Sequence, residues 1–174
     1  MVSANPSQGA TYTGGCTCGA VRYQLGAKPL VVHCCHCTWC QRETGSAFAV
    51  NALIERDRLL LEGDVNVVNT PSQSGKGQRI ARCPTCEVAL FSHYRFGSIG
   101  DLVCFVRVGT LDEPALLPPD VHIFTASKQP WVALPGDTPA VEQYYKASEV
   151  WRPDSLERRA ALFAAVAPAP ASGG

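Results

Sequence analysis

The chain has 174 residues, with 15 Lys plus Arg balanced by 15 Asp plus Glu, 46% apolar and 17% charged residues. That composition is that of a globular domain large enough to bury a core, and its neutrality excludes charge-driven binding to nucleic acid or anionic membrane. No apolar run approaches the roughly 20 residues that cross a bilayer.

The first residues, MVSANPSQGA, lack a charged n-region and an apolar h-region, so no secretory signal is expected. The expected compartment is then the reducing cytosol, where clustered cysteines bind metal more often than they pair. Nine cysteines is also an odd number.

Residues 1–12 read as a loose N-terminal arm. In "AVRYQL" the apolar Val21, Tyr23 and Leu25 alternate with Arg22 and Gln24, the period of a half-buried strand. "PLVVHCCH", "SAFAVNALI", "DRLLLEGDVNVVN", "GQRIARC", "VALFSHYRF" and "DLVCFVRVGTL" also read as strands, separated by Gly, Pro, Asp and Asn. About eight strands are expected before residue 112. "TPSQSGKGQ" (70–78) reads as an exposed hairpin loop. Beyond Pro130 a short helix is expected in "TPAVEQYYKAS". A longer one is expected in "PDSLERRAALFAAVA", with Asp154 and Glu157 as a capping box and Leu156, Ala160 and Phe163 on one face. The expected organisation is a mainly β domain at 13–137, a helical extension at 138–167, and flexible termini at 1–12 and 168–174.

Seven of the cysteines fall into three clusters: Cys16-x-Cys18, Cys35-x-Cys37-x-x-Cys40 and Cys83-x-x-Cys86. In a strand, residues i and i+2 project from one face, so each C-x-C can present two sulfurs together. A C-x-x-C turn converges two more. Ligand counting then gives Cys16, Cys18, Cys83 and Cys86 as a closed four-thiolate zinc site of structural type. Cys35, Cys37 and Cys40 supply three thiolates and leave a fourth position open, so two Zn²⁺ per chain are expected. All-sulfur ligation selects zinc or iron–sulfur chemistry over magnesium or calcium.

The bland alternative is buried, unligated thiols. Cys34 and His36 alternate away from Cys35 and Cys37 and read as packing or supporting residues. In the competing reading, Cys34 or His33 closes the second site through a local bend.

With their flanks, "GGCTCGAVRY" (14–23), "CHCTWCQRETGSAF" (35–48), "CPTC" (83–86), "VGTLD" (108–112) and "PDVHIFTASKQPW" (119–131) resemble the glutathione-dependent formaldehyde-activating enzyme family, which also contains centromere protein V. The resemblance implies a β-tent fold of mainly antiparallel sheets around a structural zinc. It also implies the same partition of ligands, with Cys35, Cys37 and Cys40 at the catalytic zinc. One departure stands out: Glu87 follows the second C-x-x-C, where family members usually carry glycine.

The implied reaction is carbon–sulfur lyase chemistry. A small thiol such as glutathione adds to an aldehyde such as formaldehyde to form an S-hydroxyalkyl adduct, or the adduct is cleaved. His122, Ser46 and Trp39 are the candidate substrate-binding residues, with Thr44 a further polar candidate; Arg22, Arg42, Arg95 and Lys128 are candidates for a substrate carboxylate. The other readings are a non-catalytic zinc module that binds a thiol metabolite or a protein, and a lyase acting on a different thioadduct.

Overall fold

A computed structural model describes residues 12–94 and 100–166; the expected flexible termini fall almost wholly outside these. Among the described residues, ten strands form two sheets. The smaller sheet joins β1 (Tyr12–Gly15), β2 (Arg22–Leu25) and β5 (Leu59–Glu62) in the order β1-β2-β5. The larger contains β3 (Val31–Cys35), β4 (Ala49–Glu55), β6 (Asn66–Thr70), β7 (Gln78–Arg82), β8 (Ala89–Tyr94), β9 (Val103–Arg107) and β10 (Val121–Ile123). Its order is β10-β3-β4-β9-β8-β7-β6. Every pairing is antiparallel except β10 on β3, which is parallel. The mainly β expectation therefore holds, with nine strands before residue 112 among the described residues.

The segment "DRLLLEGDVNVVN" does not form one strand. Gly63, at φ 88°, turns the chain, so Leu59–Glu62 joins the small sheet and Asn66–Thr70 the large one. The loop at 70–78 does close a hairpin, pairing Thr70 with Gln78.

Alternation along β3 divides the interior in two. Val32 faces a core shared by the two sheets, with Val21, Tyr23, Ala52, Ile54, Leu90 and Val106. Val31 and Cys35 face a second core, with Leu53, Phe105, Val121 and Ile123. The C-terminal segment covers that second core: Val141, Tyr145, Val150, Trp151, Leu162 and Val166 pack onto it. It is also stitched along β10, since the His122 N–H donates to Pro139 O at 2.8 Å and the Val141 N–H to His122 O at 2.9 Å.

Those hydrogen bonds explain why residues 138–146 are not helical. Their backbone groups are engaged with β10, and only α2 (Ala147–Val150) forms there; α1 (Thr38–Thr44) is described below. α3 (Pro153–Val166) begins at a proline, with Asp154 inside its first turn rather than at the cap. Its inward side is also turned from the expected Leu156–Ala160–Phe163 face. Arg158 reaches the buried Glu55 carboxylate through contacts of 2.7 and 2.5 Å, and this fixes the rotation. Ser155 is thereby buried, while Phe163 stays 37% exposed beneath the Arg159 guanidinium, 4.7 Å from its ring centroid.

Candidate metal centre

The seven clustered cysteines form two groups. Cys16, Cys18, Cys83 and Cys86 place their sulfurs within 4.8 Å of one another, and so do Cys35, Cys37 and Cys40. None is in a disulfide.

The first group is held by two tight turns. Gly15 passes so close to Val21 that a Cβ would lie 2.4 Å from the Val21 carbonyl, which is why a glycine precedes Cys16. The Cys16 N–H donates to Val21 O at 3.0 Å and the Val21 N–H returns to Cys16 Sγ at 3.2 Å. Cys18 Sγ then lies 3.5 Å from Cys16 Sγ and 3.7 Å from Cys83 Sγ, far beyond the ~2.05 Å of a disulfide. The Cys83–Cys86 turn keeps its shape without glycine. Glu87 takes φ 59° and donates its N–H to Cys83 O at 3.0 Å, and its side chain is exposed.

In the second group, β3 delivers Cys35 and α1 delivers Cys40. Cys37 stands at the start of α1, its sulfur accepting from the Cys40 N–H at 3.4 Å. Gly45, left-handed at φ 63°, ends the helix after two turns. Hydrogen bonds from the Cys35 and Cys40 thiols bring the Cys37 thiol down to about 3, while the same contacts push Cys35 far up. Three sulfurs this close cannot all ionise unless a cation joins them. Amide hydrogens aimed at Cys16, Cys37 and Cys83 (Thr85 N–H, 3.4 Å) and an all-sulfur donor set fit a thiophilic ion such as zinc in both groups.

A cavity of about 300 Å³ opens beside the three-cysteine group, lined by Cys35, Cys37, Trp39 and, among others, Phe105, Phe124 and Tyr144. Its walls are mostly apolar, with His33, Asn51, Gln73 and Ser74 as polar exceptions. His33 is buried and its imidazole is held down to about 3 by that burial. Its Nε2 lies 2.5 Å from the Tyr145 hydroxyl, which accepts from Trp151 Nε1–H at 2.8 Å. Indole only donates, so the tyrosine hydrogen is left for His33. His33 is thus engaged with the C-terminal segment and stands outside the three-sulfur group.

Of the candidate substrate residues, Trp39 lines this cavity, whereas Ser46 is exposed and His122 faces another cluster. Thr44 is exposed too. Arg22 is paired with Asp112, Lys128 donates to the carbonyls of Gln129 and Val132, and Arg42 is exposed; Arg95 lies outside the described residues.

Sequence reading missed Arg107, which is 6% exposed. Its Nη1 donates to Asn51 Oδ1 at 2.7 Å, while Nε and Nη2 have no partner among the described groups. Opposed contacts with Cys35, which lowers it, and Cys37, which raises it, together with burial leave the Cys40 thiol pushed up to about 11, and the Arg107 charge works against that rise. Tyr144 was also missed, because its segment read as a short helix outside the core.

A profile of the glutathione-dependent formaldehyde-activating enzymes matches residues 11–127. The chain belongs to that family. The two-sheet, mainly β architecture and the cysteine clusters fit it. A crystal structure of a Rhodobacter sphaeroides protein is 18% identical, with a TM-score of 0.44, covering 74% of this chain and 99% of that one. A search of curated proteins returns no significant match. Among the described residues, no helix is long and apolar enough to cross a membrane.

Proposed function

We propose that this family member catalyses the reversible addition of a small thiol, glutathione or an analogue, to an aldehyde such as formaldehyde. The product is an S-hydroxyalkyl adduct, and the reverse reaction is carbon–sulfur cleavage. The observation that carries this reading is the three-thiol cluster beside the apolar cavity in a chain of this family. In it, Cys35, Cys37 and Cys40 hold a catalytic zinc, and Cys16, Cys18, Cys83 and Cys86 hold a structural one, two ions per chain.

When bound, a zinc ion at the three-cysteine site supplies acidity to a thiol that reaches it. The gain from this alone is bounded. A thiol of pKa about 8.5 is about 3% ionised at neutral pH, so complete deprotonation yields at most about 30-fold, about 2 kcal/mol. The rest falls to the protein, which must hold the aldehyde carbon against the sulfur. Trp39, Phe105, Phe124 and Tyr144 line the space where the two would meet and exclude bulk water from it. Arg107 offsets the negative charge that gathers around the sulfurs.

Glutathione and formaldehyde also combine without a catalyst, so product formation alone decides nothing. The test is exchange between free glutathione and its hydroxymethyl adduct at equilibrium, followed by NMR. The exchange rate should rise in proportion to added protein while the equilibrium ratio stays fixed, and Cys37→Ser should abolish the rise. An uncatalysed rate with fully loaded wild-type protein refutes the assignment. Glutathione binding without exchange would then favour a binding module, and absence of binding would favour a different thioadduct.

A further inference from the structure

The residues that alternate away from the cavity converge on one another. Cys34 on β3, His36 just beyond it and His122 on β10 bring one ligand atom each within 4.8 Å of the others. The parallel register that sets His122 opposite Cys34 puts all three together. Cys34 Sγ is 3.6 Å from His36 Nε2, which is 3.0 Å from His122 Nδ1. All are buried, with exposures of 2%, 0% and 7% respectively.

His36 is positioned from several sides. Its carbonyl accepts from Gln41 Nε2 at 2.7 Å and from Ser127 Oγ at 3.0 Å. Phe48 packs edge-on against its ring at 5.5 Å between centroids. Its Nδ1 is buried without a hydrogen-bond partner among the described groups. That orphan is the ring nitrogen turned away from the cluster; Nε2 is the one that faces Cys34 and His122 and is the ligand atom on offer there.

We propose that Cys34, His36 and His122 form a third metal site, for a borderline transition ion of the zinc class. One thiolate with two imidazoles suits such an ion and rejects magnesium and calcium. A tetrahedral zinc ion would hold a sulfur and a nitrogen ligand about 3.6 Å apart and two nitrogens about 3.3 Å apart. The first separation is already present between Cys34 and His36, His122 lies within 4.8 Å of Cys34, and the second requires the imidazoles to part by about 0.3 Å. Binding releases one proton, from the Cys34 thiol to solvent, and both imidazoles stay neutral. Three protein ligands leave a fourth position for water or an incoming group. The site shares no ligand with the seven-cysteine pair of sites.

The test compares wild-type protein with Cys34→Ser and His122→Gln. Each is loaded with Zn²⁺ and freed of excess, and its zinc content per chain is measured. Each variant should hold one equivalent fewer than wild type. That difference is decisive whatever the wild-type total, because an empty three-cysteine site lowers all three totals together. Equal zinc content in wild type and both variants overturns the proposal. Should the variants fail to fold, zinc-edge X-ray absorption of wild type is read alone. Seven cysteines give sulfur ligation plus at most one light-atom ligand at the open position, whereas this site adds the outer-shell scattering of imidazole rings, and a spectrum without that scattering overturns it.

Discussion

Replacing Arg158 by methionine tests whether α3 is part of the folded domain or merely attached to it. Arg158 donates from Nε and Nη2 to Glu55 at 2.7 and 2.5 Å and from Nη1 to the Lys28 carbonyl at 2.9 Å. The Glu55 side chain is 6% exposed. Removing one member of a buried pair costs about 3–5 kcal/mol, since the other charge stays buried. Arg58 remains 3.4 Å from Glu55, so the lower end applies, about 3 kcal/mol at pH 7.

The loss should depend on pH. Burial raises the Glu55 pKa, but Arg158 and its neighbours more than offset this and hold the carboxyl below its ordinary 4.5. In wild type the pair's contribution is therefore present above pH 4.5 and fades as pH falls through the lowered value. In Arg158→Met the buried carboxyl, stripped of its main partner, titrates higher and protonates earlier. The gap between the proteins should be widest at neutral pH, begin to narrow as pH falls through the variant's raised value, and go on narrowing to the lowered value of wild type. Urea unfolding at several pH values measures that gap directly, and acid loosening of metal–thiolate sites cancels because both proteins share it. Glu55→Gln in the Arg158→Met background should recover part of the loss at pH 7. A gap below about 0.5 kcal/mol, or one constant across pH, refutes the pairing as the anchor of α3.

Glu87→Gly should raise stability in urea by about 0.5–1 kcal/mol, because the left-handed backbone costs a side-chain-bearing residue more than glycine loses in chain entropy; a loss would mean that the Glu87 side chain contributes an interaction of its own. Cys83→Ser should leave little folded protein by circular dichroism, because a structural ion's binding energy is folding energy. Cys37→Ser should keep most of its secondary structure and lose exchange activity; matched losses of thermal stability in the two would make both sites structural. Tyr144→Ala widens the cavity and should raise KM for the thiol several-fold with a smaller effect on kcat; unchanged kinetics would place substrate elsewhere.

Most strands were legible because alternation is a local signal, as in Val21–Tyr23–Leu25. The same logic placed Cys34 and His36 on the face away from Cys35 and Cys37. It could not show that His122 would join them, because a parallel partner nearly ninety residues away is a tertiary choice. The break at Gly63 failed for a similar reason: which sheet a strand joins depends on partners, not on its own pattern. α1 was missed because seven residues hold too few turns for a period to show, although the T-G-S sequence after it marks a stop. The C-terminal segment misled most. Its propensity favours helix, but its carbonyls accept from β10 and the residues just after it, and the Val141 N–H donates to His122 O, and so Tyr144 comes to line the cavity. The four-plus-three arithmetic of the cysteines, by contrast, needs only spacing.

The four-sulfur cluster has a consequence for the order of assembly. Cys18 and Cys83 are 65 positions apart in the chain. At a synthesis rate of about 5–20 residues per second, roughly 3–13 s separate their emergence from the ribosome. During that interval Cys16 and Cys18 can meet only the cysteine-rich 34–40 segment, so the first partners available to them are wrong ones. A reducing environment matters most then, before any native partner exists. Oxidation in that window would couple Cys16 or Cys18 to the 34–40 run and leave Cys83 and Cys86 without half of their site.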